Sequence, residues 1–233
     1  MTILTAHKDS IRANGELDLS KLPRRVFQPG AIIRRPEEVP ESVFLIEYGV
    51  VRPFFTSPQG LDALFNDLTM GDYIGDLTAL DGQSLDIFYE AITETAVVIM
   101  RRGQFVETIR NHPSFALDFT KRLCDRVRTL SRLYIESRLL PMKARLYVEL
   151  LRQASTSADG ETAITPPPTH AELARRIASQ RETVTKQLSA LSKDGILRQT
   201  ADKMIIERID ELRSRISDFM GENSPGLTKR SSN

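Results

Sequence analysis

The chain has 233 residues, 40% apolar and 27% charged, with 12 Gly, 12 Pro, no Trp and a formal net charge of +1, enough for one large or two modest cores. A single cysteine, Cys124, excludes an internal disulfide framework and a four-cysteine iron–sulfur or zinc site, and no apolar run reaches the ~18 residues of a membrane span or reads as a signal peptide, so the expected setting is the cytoplasm. The small net charge is a split: residues 1–100 hold 8 Lys+Arg against 15 Asp+Glu, 101–140 hold 9 against 4, and 141–233 hold 15 against 12, so that a polyanion would be met by the rear of the chain.

From about Val26 to Met100 the pattern is one of short strands. Val43 to Ile46, Val50 to Phe55, Leu61 to Leu68, Ile87 to Ile92 and Ala96 to Met100 are rich in β-branched and aromatic residues, with glycines between them, which predicts an all-β roll or barrel. Ser57-Pro58-Gln59-Gly60 fits a type I turn closing a hairpin. Pro53 suits an edge strand or a bulge.

Helical spacing takes over after Arg101. A short helix is predicted over Gly103 to Asn111, and a long one after Pro113 to about Leu139, roughly 26 residues or ~39 Å at 1.5 Å per residue. Ala116, Thr120, Leu123, Val127, Leu130, Tyr134 and Ser137 recur at alternating spacings of four and three, a heptad seam that fits either a second subunit or the core of one monomer. Phe115, Phe119 and Leu133 lie on neighbouring positions suited to packing on the roll. Cys124 is expected to be buried on this helix. Leu139-Leu140-Pro141 breaks the pattern and predicts a hinge.

Behind the hinge, a helix from Met142 to about Ala154 leads into a polar, proline-containing connection or irregular short strand over Ser155 to Pro168. Two helices follow, Ala171 to about Ala178 and Arg181 to Lys193, and then a β-hairpin from Ile196 to Ile206 tipped by Ala201-Asp202-Lys203. Residues 221–233 read as a disordered tail. Thr169-His170-Ala171-Glu172 is a capping box, which fixes a helix start. Leu173, Ala174 and Ile177, then Val184, Leu188 and Leu191, give apolar faces to two helices joined at Ala178-Ser179-Gln180, as in a helix-turn-helix.

In that architecture the start of the second helix enters the major groove. Arg181 can donate two bonds to guanine O6 and N7, Glu182 can accept from cytosine N4, and Lys186 can reach guanine or phosphate. Thr169, Ser179 and Thr183 complete the candidate DNA-binding set, with Thr169 at a helix start suited to backbone phosphate. No phosphate loop, metal-ligand cluster or nucleophile–base pair indicates an enzyme. The competing expectation is a nucleotide or metabolite sensor whose rear domain contacts protein instead of DNA.

Over nearly its whole length the chain resembles the cyclic-AMP receptor protein and fumarate–nitrate regulator (CRP/FNR) family of bacterial transcription regulators. The matching pieces, in order, are Gln28-Pro29-Gly30, Val43-Phe44-Leu45-Ile46-Glu47-Tyr48-Gly49, Gly71-Asp72-Tyr73-Ile74-Gly75-Asp76-Leu77, Asn111-His112-Pro113, the long helix, and Thr169 through Leu191 with Arg181-Glu182-Thr183-Val184. The resemblance implies an α+β chain: a cyclic-nucleotide-binding-like β-roll (jelly roll) over 1–112, a dimerisation helix and hinge over 113–140, and a winged helix-turn-helix over 141–220. It implies double-stranded DNA, a second copy of the chain (along Leu123, Val127, Leu130 and Tyr134) and RNA polymerase as partners, with a small-molecule effector of unknown identity.

The effector cassette departs from the family pattern. Members that bind a cyclic nucleotide carry Gly-Glu-Leu followed by Arg-Ser or Arg-Thr; here Gly75-Asp76-Leu77 keeps a shorter carboxylate, and the Arg-Ser position falls on Leu85-Asp86. A cyclic phosphate would lose a charge-assisted bond of about 1.5–3 kcal/mol, so control by cAMP in the usual way is not expected. Of the positions that face the adenine in such members, Ser131 matches and Leu130 does not. Neither an iron–sulfur cluster nor haem is expected, because the chain has one cysteine and none of His7, His112 and His170 lies in the roll.

Overall fold

The structure is a computed structural model and describes residues 19–36, 41–58 and 62–220. The chain divides into two compact units after Asp125, inside the long helix, so the helix expected as a separate segment is shared between them. The tail at 221–233 and the turn residues Gln59 and Gly60 lie outside the described residues.

The first unit is a roll of two four-stranded antiparallel sheets. Its elements are β1 (Arg24–Phe27), β2 (Ile32–Arg34), β3 (Ser42–Tyr48), β4 (Val51–Thr56), β5 (Asp62–Leu64), β6 (Tyr73–Ile74), helix α1 (Asp76–Asp81), β7 (Phe88–Ala91), β8 (Thr95–Arg101) and helix α2 (Arg102–Asn111). One sheet has the order β1-β8-β3-β6, the other β2-β7-β4-β5. The run predicted over Leu61 to Leu68 is shorter as a strand, with only an isolated bridge from Leu68 to Val51 beyond Leu64.

Alternation along β3 and β8 explains the two cores. Ile46 and Val97 point into the roll with Phe27, Ile33, Val51, Ile74 and Ala91, while Val43, Leu45, Val98 and Met100 point to the opposite face. Because both faces are covered, β8 reads as an almost continuous apolar run. On the second face sit Phe105 of α2 and Phe115 and Phe119 of the long helix α3 (Pro113–Leu139), packed with Tyr73. Their rings meet at tilted or edge-on angles with centroids 5.4–6.4 Å apart, the geometry that aromatic quadrupoles favour.

Pro53 lies not on an edge but in β4, which has neighbours on both sides. Its position is tolerated because pairing with β5 begins only at Phe54. The Pro53 carbonyl accepts from Phe65 N–H at 3.0 Å, and the missing N–H falls where that ladder is interrupted. At Gly49 (φ +97) a Cβ would come within 2.3–2.6 Å of Thr95 and Glu94, so the turn between β3 and β4 requires glycine.

Helix α3 runs for 27 residues, and three of the expectations for it change. Cys124 is exposed, not buried. Leu123, expected on the exposed seam, packs against the aromatic cluster, whereas Leu133 is half-buried and not part of it. The reason is rotational: with Phe115, Phe119 and Leu123 turned to the roll, the expected seam departs at Ala116 and Leu123, which are half-buried, and is kept at Thr120, Val127, Tyr134 and Ser137, which are exposed. Leu117, Thr120, Cys124, Val127, Ser131, Tyr134 and Arg138 are all exposed and repeat the three–four spacing of a heptad seam. Leu130 is exposed as well.

The second unit comprises α4 (Met142–Gln153), β9 (Ser155–Thr156), β10 (Thr162–Ile164), α5 (His170–Arg176), α6 (Arg181–Lys193), β11 (Leu197–Gln199), β12 (Met204–Ile206) and α7 (Ile209–Met220). The connection after α4 is a strand pair, and its second strand, β10, joins β12 in the sheet order β11-β12-β10-β9. Helix α7 has no counterpart among the predicted elements. Its Leu212 and Ile216 are fully buried with Leu146 and Leu150 of α4, Leu173 of α5, and Val184, Leu188 and Leu191 of α6. Among the described residues no helix is long and apolar enough to cross a membrane.

Candidate nucleic-acid interface

The sequence folds locally into a helix-turn-helix because of its cap and its turn. The Thr169 hydroxyl accepts the Glu172 N–H at 3.1 Å, the first half of the predicted box. The Glu172 carboxylate also accepts from Arg176 at 3.3 Å. Helix α5 ends at Ile177, and Ala178 takes φ +49, a left-handed turn position uncommon for a residue with a Cβ. The Ser179 N–H then reaches back to the Ala174 carbonyl at 2.9 Å, which fixes the angle at which α6 leaves. The predicted bounds of α6 coincide with the observed ones. The first helix runs from His170 to Arg176, one residue earlier at its start and two residues shorter at its end than Ala171 to Ala178 suggested, because Ala178 belongs to the turn.

Helix α6 has two chemically distinct faces. Val184, Leu188 and Leu191 are buried in the core, while Arg181, Glu182 and Lys186 are exposed and, among the described residues, tied by no ion pair. Ser179 and Thr183 are half-buried at the edges of this face, and Thr169 is exposed. Arg181, Glu182, Thr183 and Lys186 are therefore presented within the first two turns of one helix, with Ser179 in the turn before it and Thr169 at the start of α5.

Two supporting contacts escaped the sequence reading. His170 Nδ1 lies 2.8 Å from Thr185 Oγ1, and that hydroxyl donates to the Arg181 carbonyl at 2.9 Å. A threonine hydroxyl has one proton, so Oγ1 accepts from His170 Nδ1–H and stitches α5 to the first turn of α6. On the wing, Lys203 Nζ pairs with Glu161 Oε1 at 2.6 Å, and this hydrogen-bonded carboxylate raises the lysine above its usual range.

The cassette in the roll has a different chemistry. Gly75 (φ +83) opens α1, and Asp76 is only 3% exposed. Leu77 and Leu85 (48% exposed) point to solvent, as does Asp86. One cation is nevertheless present: Arg34, 8% exposed, whose Nη1 would lie 1.9 Å from a Cβ at Gly75. The left-handed backbone at Gly75 is what calls for glycine there, and the arginine tip fills the space beside it. Arg102 Nε donates to the Ala79 carbonyl at 2.9 Å and holds the end of α1. Ser131 and Leu130 are exposed on α3.

The fold and this face define a class: a DNA-binding transcription regulator with a sensor-type β-roll in front and a winged helix-turn-helix behind. Comparison with known proteins gives the family. Residues 24–112 match the cyclic nucleotide-binding domain family and residues 144–215 the Crp-like helix-turn-helix domain family. The chain is 27% identical over 189 residues to a cyclic AMP receptor protein of Thermus thermophilus, covering 78% of this chain and 83% of that one. It is 18% identical over 190 residues to a "Probable transcriptional regulator flp" of Lacticaseibacillus casei, covering 81% and 84%. Among solved structures, a CooA mutant from Carboxydothermus hydrogenoformans shares the fold with a TM-score of 0.72 at 20% identity, over 88% of this chain and 93% of that one. A CRP/FNR-family regulator of Thermus thermophilus does so with a TM-score of 0.64 at 22% identity, over 84% and 98%. The chain belongs to the CRP/FNR family of transcription regulators.

Proposed function

We propose that the protein acts as a homodimer on a two-fold symmetric duplex, with half-sites about 34–36 Å apart. Arg181, Glu182 and Lys186 read base edges, and Thr169, Ser179 and Thr183 contact the phosphate backbone. The observation that carries this reading is the exposed, unpaired polar start of α6 opposite a buried Val184, Leu188 and Leu191. The exposed seam of α3 supports the second copy: Val127 and Tyr134 are 62% and 63% exposed within one chain, and apolar residues so placed call for a covering partner. RNA polymerase is the further partner that a regulator of this class requires.

Control by cAMP in the usual way is not part of this reading. The exposed Leu85 and Asp86 offer a cyclic phosphate neither a cation nor a hydroxyl. The effector would be another small molecule, and no iron–sulfur cluster or haem is invoked. The test is Arg181→Ala combined with Glu182→Ala, measured by footprinting and by selection from random duplexes. Losing a good bidentate contact costs about 1–3 kcal/mol and relaxes the position it reads. Unchanged affinity and sequence preference would overturn the base-reading assignment.

A further inference from the structure

A line of charged side chains crosses the break at Leu139-Leu140-Pro141, and nothing derived above uses it. Glu136, near the end of α3, is 6% exposed. Arg152 of α4 donates from Nη2 to its Oε2 at 2.6 Å, and from Nη1 to Glu149 on the preceding turn. Glu149 is 4% exposed and also accepts from Gln153 Nε2 at 2.7 Å. Its Oε1 lies 3.9 Å from Nε of Arg176 on α5, and Arg176 Nη2 reaches Glu172 at 3.3 Å. Glu172 is the residue whose N–H is capped by Thr169. Carboxylate and guanidinium thus alternate from α3 through α4 to the capped start of α5, all within the second unit.

Burial separates this line from the other ion pairs of the unit. Arg213 and Asp210 pair on α7 with the aspartate side chain 92% exposed, and such pairs contribute little. In the line, the carboxylates of Glu136 and Glu149 and the guanidinium of Arg176 are 8%, 5% and 10% exposed. Burial works against the charge of Arg152, and the adjacent Glu149 and Glu136 more than offset it, holding the group above the ordinary arginine range. Buried ion pairs add little net stability over apolar packing, whereas removing one partner leaves an uncompensated charge. What they supply is a required alignment: fixed donor and acceptor positions on three helices at once. A further polar tie across the break is a long one, from Arg145 Nη1 to the Ser137 carbonyl at 3.4 Å.

We propose that Glu149, with Arg152 and Arg176, is a positioning residue that locks α5 and α6 in register on the last turns of α3, and so sets the half-site separation that two copies recognise. This rests on the two-half-site reading above. Two sites joined rigidly gain avidity only when both are engaged in one geometry. Loosening the register removes that gain and leaves each half-site contact intact.

The experiment uses the full chain and duplexes that the wild-type protein selects from a random pool, offered intact, with one half-site scrambled, and with one or two base pairs added between the half-sites. Glu149→Gln keeps the volume and removes the charge. Glu136→Gln does the same on α3, away from the core of the helix-turn-helix. Each variant is expected to bind the single half-site within about 2-fold of wild type, to lose about 10- to 100-fold on the intact site, and to discriminate less among spacings. Wild-type spacing preference in both variants overturns the proposal. So does an equal loss on half-site and intact duplex, which marks a role in the fold of the head alone. A wild-type chain that gains nothing from the second half-site overturns the dimeric reading and this inference together, while the base-reading assignment stands. One that selects no duplex overturns all three.

Discussion

The cassette of the roll and the reading head are both entered through a left-handed backbone position, Gly75 in one and Ala178 in the other, yet they dispose their charges in opposite ways. In the cassette the cation turns inward, with Arg34 and Asp76 buried, and solvent meets two leucines, Leu77 and Leu85, and the carboxylate of Asp86. In the head the apolar groups turn inward, and solvent meets Arg181, Glu182 and Lys186. An incoming anion therefore finds an available cation at the head and an exposed carboxylate at the cassette. The contrast teaches that a cassette can keep its backbone form while its exposed chemistry changes, because glycine answers to backbone geometry and a ligand answers to side chains.

Three measurements break or sharpen that contrast. The largest effect is expected from Phe119→Ala, which opens a cavity in the aromatic cluster shared with Tyr73, Phe105 and Phe115. The roll should lose about 3–5 kcal/mol in urea denaturation, with the affinity of the head for a single half-site unchanged; a loss there too would show that the two sites are not independent. Next is Thr169→Ala. It removes the acceptor of the Glu172 N–H and should cost about 1 kcal/mol of stability, with a parallel loss of duplex affinity; Thr169→Ser should restore most of both. The smallest is a null effect: calorimetric titration of the protein with cAMP should give no binding heat at micromolar concentration. A low-micromolar dissociation constant would break the contrast, since the buried Arg34 would then have to turn toward a ligand.

Periodicity made the helices legible. Proline at 113 and 141 and the cap at Thr169 marked their starts, the bounds of α6 follow from pattern alone, and those of α3 do so to within a residue. The shortest elements were not legible, because β2, β6 and α1 are too brief to show a period. The heptad pattern on α3 was legible over Thr120, Val127, Leu130, Tyr134 and Ser137, which are exposed, and misplaced at Ala116 and Leu123, because the first half of the helix buries one stripe against the roll and apolar spacing does not say which stripe that is. Leu123 and Cys124 exchange roles for that reason. Helix α7 does carry a pattern, in Ile209, Leu212 and Ile216, but so short a stripe among charges becomes interpretable only once its partner α4 is known. Of the candidate site, the exposed residues of α6 followed from helix spacing. His170 with Thr185, and Arg34 against Gly75, depend on contacts between separate elements that no local pattern encodes.

The exposure of Cys124 has a practical side. It is the chain's only cysteine, and its sulfur sits on the uncovered stripe between Thr120 and Val127. An alkylating reagent therefore tags each molecule once, on the surface to which a second copy is assigned. Its rate of attachment counts chains whose stripe is bare, without any engineered label, and a rate that falls as the protein is concentrated would report the stripe being covered.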